Sequence, residues 1–230
     1  MRLPQCEIRE KGKGKRDKNL NCLFVAGGRI PNIDWFREVA SERKIFCIDK
    51  GIELCRACGV IPNILIGDFD SAESSDVDWA RAKNIPVEQY PIDKDLTDTQ
   101  LALKRATEFF GEHVAILTGV FGGRFDHLYS TIFTCAAANQ KIFLADEREI
   151  IFYLRGGESA EVKFFQTPLA VSLLPITNTC AGVTIKNVRW ELDGATLTQN
   201  FPYAVSNRVV SDNISVSVGN DTLAIYFYFE

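Results

Sequence analysis

The sequence predicts an α/β plus all-β protein, with an N-terminal, mostly parallel α/β sheet domain and a C-terminal antiparallel β-sandwich domain. Three observations carry this. Up to about residue 145, short and continuously apolar runs alternate with helix-like stretches, as in a parallel sheet covered on both faces. From about Glu158 the period becomes two, with Ile214, Val216 and Val218 alternating with Ser215 and Ser217. Between the halves lies "LRGGES", where Gly156 and Gly157 suit a turn.

The first strand is expected over Cys22–Ala26 ("CLFVA"), then a helix near Ile33–Ser41, a strand over Ile45–Ile48 and a helix over Ile52–Cys58. A strand over Ile64–Ile66, a helix over Ser74–Lys83 and a strand in "IPVEQY" follow. The half closes with a helix over Asp98–Phe110, strand "HVAILT", a helix over Asp126–Ala138 and strand "KIFLA". In the second half "LAVSLLPI", "GVTIKNVRWEL", "NISVSV" and "TLAIYFYF" read as strands separated by Gly, Asn and Asp. The expected boundaries are a flexible basic tail over 1–19, the α/β domain over 20–150 and the sandwich over 158–230.

With 230 residues, 46% of them hydrophobic, the chain is long enough to bury a substantial core. A formal charge of -4 argues against bulk nucleic-acid binding, which needs a broad basic face. The exception is "EIREKGKGKRDKN", read as a solvated tail. No apolar run approaches the roughly 20 residues of a membrane-spanning helix, and no apolar signal core opens the chain, so a cytoplasmic protein is expected. Seven cysteines in apolar contexts read as reduced core thiols, the Cys55–Cys58 CxxC included, since no second pair or nearby histidine completes a zinc site.

Chemistry is expected at the carboxyl ends of the parallel strands, where ligands bind in open α/β sheets. In "ILIGDFDS" an apolar strand ends in Asp68 and Asp70, whose side chains share one face if the backbone is extended. Two converging carboxylates repel, and a hard divalent cation, Mg²⁺ or Ca²⁺, relieves that. The plainer reading is a solvated loop capped by Asp68. A second cluster, "DKDLTDTQLAL", carries Asp93, Asp95 and Asp98, with Lys94 among them as a phosphate partner. Thr97 and Gln100 fit a capping box, which explains one acid but not three. The third signal is "LTGVFGGRFDH": Gly119, Gly122 and Gly123 lead into Arg124, and a helix opens near Asp126. Such a turn presents backbone N–H groups to an anion, and Arg124 adds a bidentate fork. His127 reads as an ordinary helix residue. Together these features suggest a metal–nucleotide site suited to phosphoryl chemistry.

These residues bear a resemblance to a known family. Asp49-Lys50-Gly51 after a strand, Pro62 before "IGDFDS", "KDLTDTQLAL", "GVFGGRFDH", and "GVTIKNVRWEL" followed by Ser206-Asn207 resemble, in order, the motifs of thiamine pyrophosphokinase, and cover the chain from about Leu20 onward. The resemblance implies ATP-dependent transfer of a pyrophosphoryl group to the hydroxyethyl oxygen of thiamine, giving thiamine diphosphate and AMP. It implies that Asp68, Asp70 and Asp98 hold Mg²⁺ against the ATP phosphates, with Asp95 in support. Arg124 and Asp126, with Gly122, Gly123 and Lys94, would line the nucleotide site, and Asp49 would lie near it. In the β domain, Trp190, Ser206 and Asn207 match residues that face thiamine, and a homodimer with sites between subunits is implied. Thiamine is a cationic aromatic, so a Trp190 face would offer stacking and a cation–π attraction of about 0.5–2 kcal/mol; the bland alternative is a core aromatic. Two departures stand out: Lys50 where relatives carry glycine, and "VRW" with Asn187 in place of a glycine pattern. The competing readings are a pyrophosphokinase for another heterocyclic alcohol, such as a hydroxymethylpterin, and a non-catalytic thiamine-binding protein.

Overall fold

The structure is a computed structural model that describes residues 1–11, 20–70 and 72–230. The chain divides into two compact units, Lys18–Asp146 and Met1–Asp17 with Glu147–Glu230.

The first strand, β1 (Cys6–Lys11), lies where a flexible tail was expected. Its sequence "CEIREK" buries Cys6 and Ile8 while Glu7 and Arg9 point outward, so the basic surface masks a period of two. The remainder of the expected tail, 12–19, lies outside the described residues.

The unit Lys18–Asp146 is built from β2 (Leu20–Val25), α1 (Ile33–Ala40), β3 (Lys44–Ile48), α2 (Ile52–Cys58), β4 (Ile64–Gly67), α3 (Ser74–Ala82), β5 (Val87–Gln89), α4 (Asp98–Phe110), β6 (His113–Thr118), α5 (Phe125–Ala137) and β7 (Lys141–Ala145). The strands lie in the order β7-β6-β2-β3-β4-β5 and every adjacent pair is parallel. Cys22 to Val25 and Ile45 to Ile48 are buried throughout, as a sheet covered on both faces requires. Phe24 and Phe46, register partners on β2 and β3, stack with ring centroids 5.1 Å apart. The strand in "IPVEQY" shrinks to Val87–Gln89, because Pro86 has no N–H to give a ladder. The chain winds outward from β2 to β5, then returns to place β6 on the other side of β2. The order therefore reverses between β2 and β6, a switch point of the kind at whose strand ends ligands bind in open α/β sheets.

The other unit adds β8 (Glu149–Arg155), β9 (Ser159–Phe164), β10 (Ala170–Pro175), β11 (Thr179–Lys186), β12 (Leu192–Thr198), β13 (Asn213–Ser217) and β14 (Thr222–Tyr228) to β1. One antiparallel sheet runs β1-β9-β13-β11-β12, and β14 pairs antiparallel with both β10 and β8. Phe164 of β9 meets Phe227 of β14 edge to face at 5.2 Å, joining the two layers in one core. Residues 149–150, placed by sequence in the α/β half, belong here as the start of β8, whose seven residues align with Thr222–Tyr228. The expected continuous strand in "GVTIKNVRWEL" breaks at Asn187, which takes a positive φ of 65° and turns the chain so that Val188 to Glu191 form a connection. No helix among the described residues is long and apolar enough to cross a membrane.

Candidate active site

Carboxylates converge at the ends of β3 and β4. β3 runs into a tight 3-10 turn over Asp49–Gly51, and β4 stops at Gly67 just before Asp68. A side chain on Gly67 would put its Cβ 3.1 Å from the Cα and Cβ of Asp49, so glycine there is what lets the two strand ends approach. Asp68 and Asp70 do not converge through an extended backbone, as their spacing suggested. Phe69 between them takes a left-handed φ of 63°, and the amide of Asp70 donates to Asp68 Oδ1 at 3.2 Å. Asp49 is also left-handed, at 46°. Two non-glycine residues held in that sparsely populated region at one cluster mark a site at which geometry outweighs backbone comfort.

The outcome is a group of three: Asp49, Asp68 and Asp70 each offer a carboxylate oxygen within 4.8 Å of the others. Asp98 stands beside this group rather than in it, placed in the first turn of α4 by the capping box, with Thr97 N–H donating to Gln100 Oε1 at 2.9 Å and Gln100 N–H to Thr97 Oγ1 at 3.3 Å. Lys94 links the two, paired with Asp68 and 3.4 Å from Asp98. Asp95 is exposed and outside the group.

The charges are uneven. Burial works to raise the Asp68 carboxyl, but the Lys94 ammonium and the Asp70 amide overcome it and hold the group below its ordinary value. Repulsion from Asp68 raises Asp70, and burial raises Asp98. Three hard oxygen donors within 4.8 Å of one another, one of them raised by its neighbour's charge, fit a Mg²⁺- or Ca²⁺-class cation by the chemistry of the donor set.

The loop after β6 lies against the loop after β2 at the switch point. Gly28 N–H donates to Gly119 O and Arg29 N–H to Phe121 O, both at 2.6 Å. Gly119 sits at φ 70°, and a Cβ there would lie 2.1 Å from Ala26 O. Gly122, Gly123, Arg124 and Asp126 are all exposed at this edge. The Arg124 fork grips Asp126 (3.1 and 2.5 Å), which also accepts from His127 N–H at 3.0 Å, so a phosphate would compete with Asp126 for it. The Gly27-Gly28-Arg29 loop was missed in the sequence, although two glycines directly after the first strand of the sheet were its signal.

In the β unit, a cavity of about 280 Å³ is lined by Val171, Leu173, Ile185, Trp190, Tyr203 and Asn207. Trp190 is 55% exposed, which excludes the core-aromatic reading. It sits on the β11–β12 connection and is held there by Asn207. Asn207 Nδ2 donates to Trp190 O at 2.7 Å, and its Oδ1 accepts from Trp190 N–H at 3.1 Å and Arg208 N–H at 2.8 Å. The Arg189 guanidinium lies 4.8 Å from the Trp190 ring centre. Ser206, left-handed at φ 56°, is fixed by its N–H to Ser172 Oγ at 3.0 Å. Tyr203 carried no sequence signal, because its neighbours "NFPYAV" have no motif. All seven cysteines are free and buried.

Fold and site together define a protein with a carboxylate cluster at the strand ends of a parallel sheet and an apolar, aromatic-lined cavity in a β unit. Residues 36–144 match the family described as thiamin pyrophosphokinase, catalytic domain, and residues 166–223 match thiamin pyrophosphokinase, vitamin B1 binding domain. The thiamine pyrophosphokinase of Bacillus subtilis (strain 168) is 26% identical over 194 residues, covering 81% of this chain and 88% of that protein. Among solved structures, the thiamine pyrophosphokinase from Bacillus subtilis superposes with a TM-score of 0.80 at 24% identity, covering 91% of this chain and 99% of that one. Yeast thiamin pyrophosphokinase superposes with a TM-score of 0.76 at 15% identity, covering 94% and 88%. The chain belongs to the thiamine pyrophosphokinase family, whose members are transferases.

Proposed function

We propose that this chain transfers the terminal pyrophosphoryl group of ATP to the hydroxyethyl oxygen of thiamine, giving thiamine diphosphate and AMP. The observation that carries the reading is the coexistence, in one chain, of the Asp49–Asp68–Asp70 group at parallel strand ends and a Trp190-lined cavity in the β unit. A hydroxymethylpterin acceptor is not favoured, because the family match extends through residues 166–223.

Asp68 and Asp70, with Asp49 beside them and Asp98 across Lys94, would hold Mg²⁺. When bound, Mg²⁺ neutralises phosphate charge and polarises the phosphoryl oxygens. The chain's own residues do the rest. Lys94 sits where it offsets charge developing on the transferred group, and Asp95 supports the cluster from outside. Gly122 and Gly123, exposed and without side chains, leave room for the nucleotide, flanked by Arg124 and Asp126. The thiamine oxygen bonds to the β-phosphorus while the bond from that phosphorus to the α-phosphate oxygen breaks. The hydroxyl proton passes to a carboxylate near the acceptor oxygen. In the β cavity, the Trp190 ring stacks on the cationic aromatic substrate, with Asn207 in the wall and Ser206 beside it in sequence. A cytoplasmic homodimer with sites between subunits completes the proposal, resting on the family resemblance and on seven free thiols; sedimentation velocity tests the dimer.

One assay tests the activity: purified protein with ATP, Mg²⁺ and thiamine, read by AMP release. AMP formed in step with thiamine diphosphate is expected. Thiamine binding by calorimetry with no ATP consumed would instead make this a non-catalytic thiamine-binding protein.

A further inference from the structure

A second, smaller cavity of about 110 Å³ lies at the ends of β2 and β3, lined by Gly27, Gly28, Arg29, Lys50, Glu53 and Leu54. It adjoins the carboxylate group, since Lys50 directly follows Asp49. We propose that Lys50 binds the α-phosphate of the nucleotide and holds the AMP leaving group in this cavity, an inference that rests on the pyrophosphokinase reading above.

The cavity has two cations near its wall, and they differ in availability. Arg29 is committed, with Nε and Nη2 donating to Asp146 Oδ2 at 2.9 and 2.5 Å and its guanidinium lying over the Phe121 ring. Lys50 has only a loose ion pair with Glu53, 4.0 Å away, and about half of its side chain is exposed. Gly27 explains why the lysine lies there: a Cβ at that position would come 2.6 Å from Lys50 Cβ, so the absent side chain leaves room for the lysine stem. Neighbouring strands in a sheet are about 4.8 Å apart, so a phosphate chain held at the β3 and β4 ends extends within one strand spacing to the β2–β3 cavity.

The chemistry suits this position. As the oxygen–phosphorus bond breaks, its electron pair stays on the oxygen of the α-phosphate, and AMP leaves with one more negative charge than that phosphate bore in ATP. An ammonium on the α-phosphate therefore binds more strongly as the bond breaks, which stabilises the transition state rather than the substrate alone. Lys94 serves the opposite end of the group, between Asp68 and Asp98.

The test is AMP binding by isothermal titration calorimetry to the full chain, with thiamine titrated in parallel. Lys50→Gln is expected to weaken AMP binding about tenfold, the lower range for a charge-assisted contact at a half-exposed site, and to leave thiamine binding unchanged. Lys50→Arg is expected to keep most of the AMP affinity. Lys50→Met serves the same readout if Lys50→Gln loses its fold by circular dichroism. In turnover, kcat/KM for ATP should fall by at least that factor with the thiamine KM unchanged. Unchanged AMP affinity in Lys50→Gln would overturn the inference, as would an equal loss of AMP and thiamine binding. A wild-type chain that binds AMP through Lys50 but releases none from ATP and thiamine would refute the activity and the leaving-group role together, whereas an active chain indifferent to Lys50 would refute this inference alone.

Discussion

Replacing Lys94 by Met probes how the carboxylate site is balanced without metal. Lys94 is the cation between Asp68 and Asp98, and its side chain is 14% exposed against 9% for Asp68. Removing one partner of a buried pair costs about 3–5 kcal/mol, and the open side at the exposed Asp70 reduces this to about 2–3 kcal/mol. For a unit of this size the thermal midpoint should fall by about 6–10 °C in EDTA. Methionine keeps the stem's volume and packing but leaves four acids without their counter-charge. Mg²⁺ should then bind more tightly and restore more: a tenfold lower Kd adds about 1.4 kcal/mol at saturation, so the Mg²⁺-induced rise in midpoint should be larger in the variant than in wild type. The pH dependence has a definite sign. Asp68 is held below its ordinary value, so the stability it contributes is present above the unfolded pKa of about 3.9 and is lost as pH falls through the lower folded value. Lys94→Met should flatten that acid-side loss. The assay is differential scanning fluorimetry across pH, with and without Mg²⁺. Equal midpoints in EDTA, or equal Mg²⁺ shifts, would refute a lysine acting as the resident counter-ion of the site.

Four further outcomes follow from the same geometry. Asp70→Asn should nearly abolish AMP release while the EDTA midpoint holds or rises slightly, because repulsion from Asp68 is what raises Asp70; wild-type turnover would remove Asp70 from the site. For the same reason, and because burial raises Asp98, Mg²⁺ affinity should begin to fall on acidification above the pH at which an ordinary aspartate, with a pKa of about 3.9, protonates, measured by metal titration from pH 7 downward. Trp190→Ala should raise the thiamine KM about tenfold, for a lost cation–π and stacking contact of about 1–2 kcal/mol, and leave the ATP KM alone. Asn207→Ala, which removes two hydrogen bonds from Trp190 and one from Arg208, should also raise the thiamine KM and shift tryptophan emission, with AMP binding unchanged.

The parallel half was legible because its signal is local: a strand buried on both faces is a continuous apolar run, and each run here but the last, β7, is followed by a helix. Asn32, for example, caps α1 by accepting from Asp34 and Trp35 N–H at 2.9 and 3.1 Å. β1 was illegible for the opposite reason. Its alternation of Cys6 and Ile8 is only two apolar positions long, among Glu and Arg, and what makes it a strand is β9, some 150 residues away along the chain. β8 carried no strand reading of its own: "EIIFYLR" is buried on both faces like a parallel strand, yet it pairs antiparallel with β14. Burial on both faces therefore reports coverage, and only the partner decides direction.

The site shows the same division between local and long-range information. Paired acids at a strand end are visible in one line of sequence, and so is the capping box that aims Asp98. Which acids meet is decided by the order of strands: β3 and β4 are neighbours, so Asp49 joins Asp68 and Asp70, while Asp98 arrives on a helix from the far side of Lys94. The backbone conformation at Phe69 was equally hidden, since a spacing of two suggests an extended chain and the structure reaches convergence through a left-handed turn instead. Asn207 adds a reversal of role. The resemblance placed it facing the substrate, yet its amide already makes three hydrogen bonds to backbone, two of them to Trp190. Its amide thus holds the tryptophan's backbone, and a substitution that preserves the cavity wall but loses those bonds should be felt by thiamine through the position of the ring.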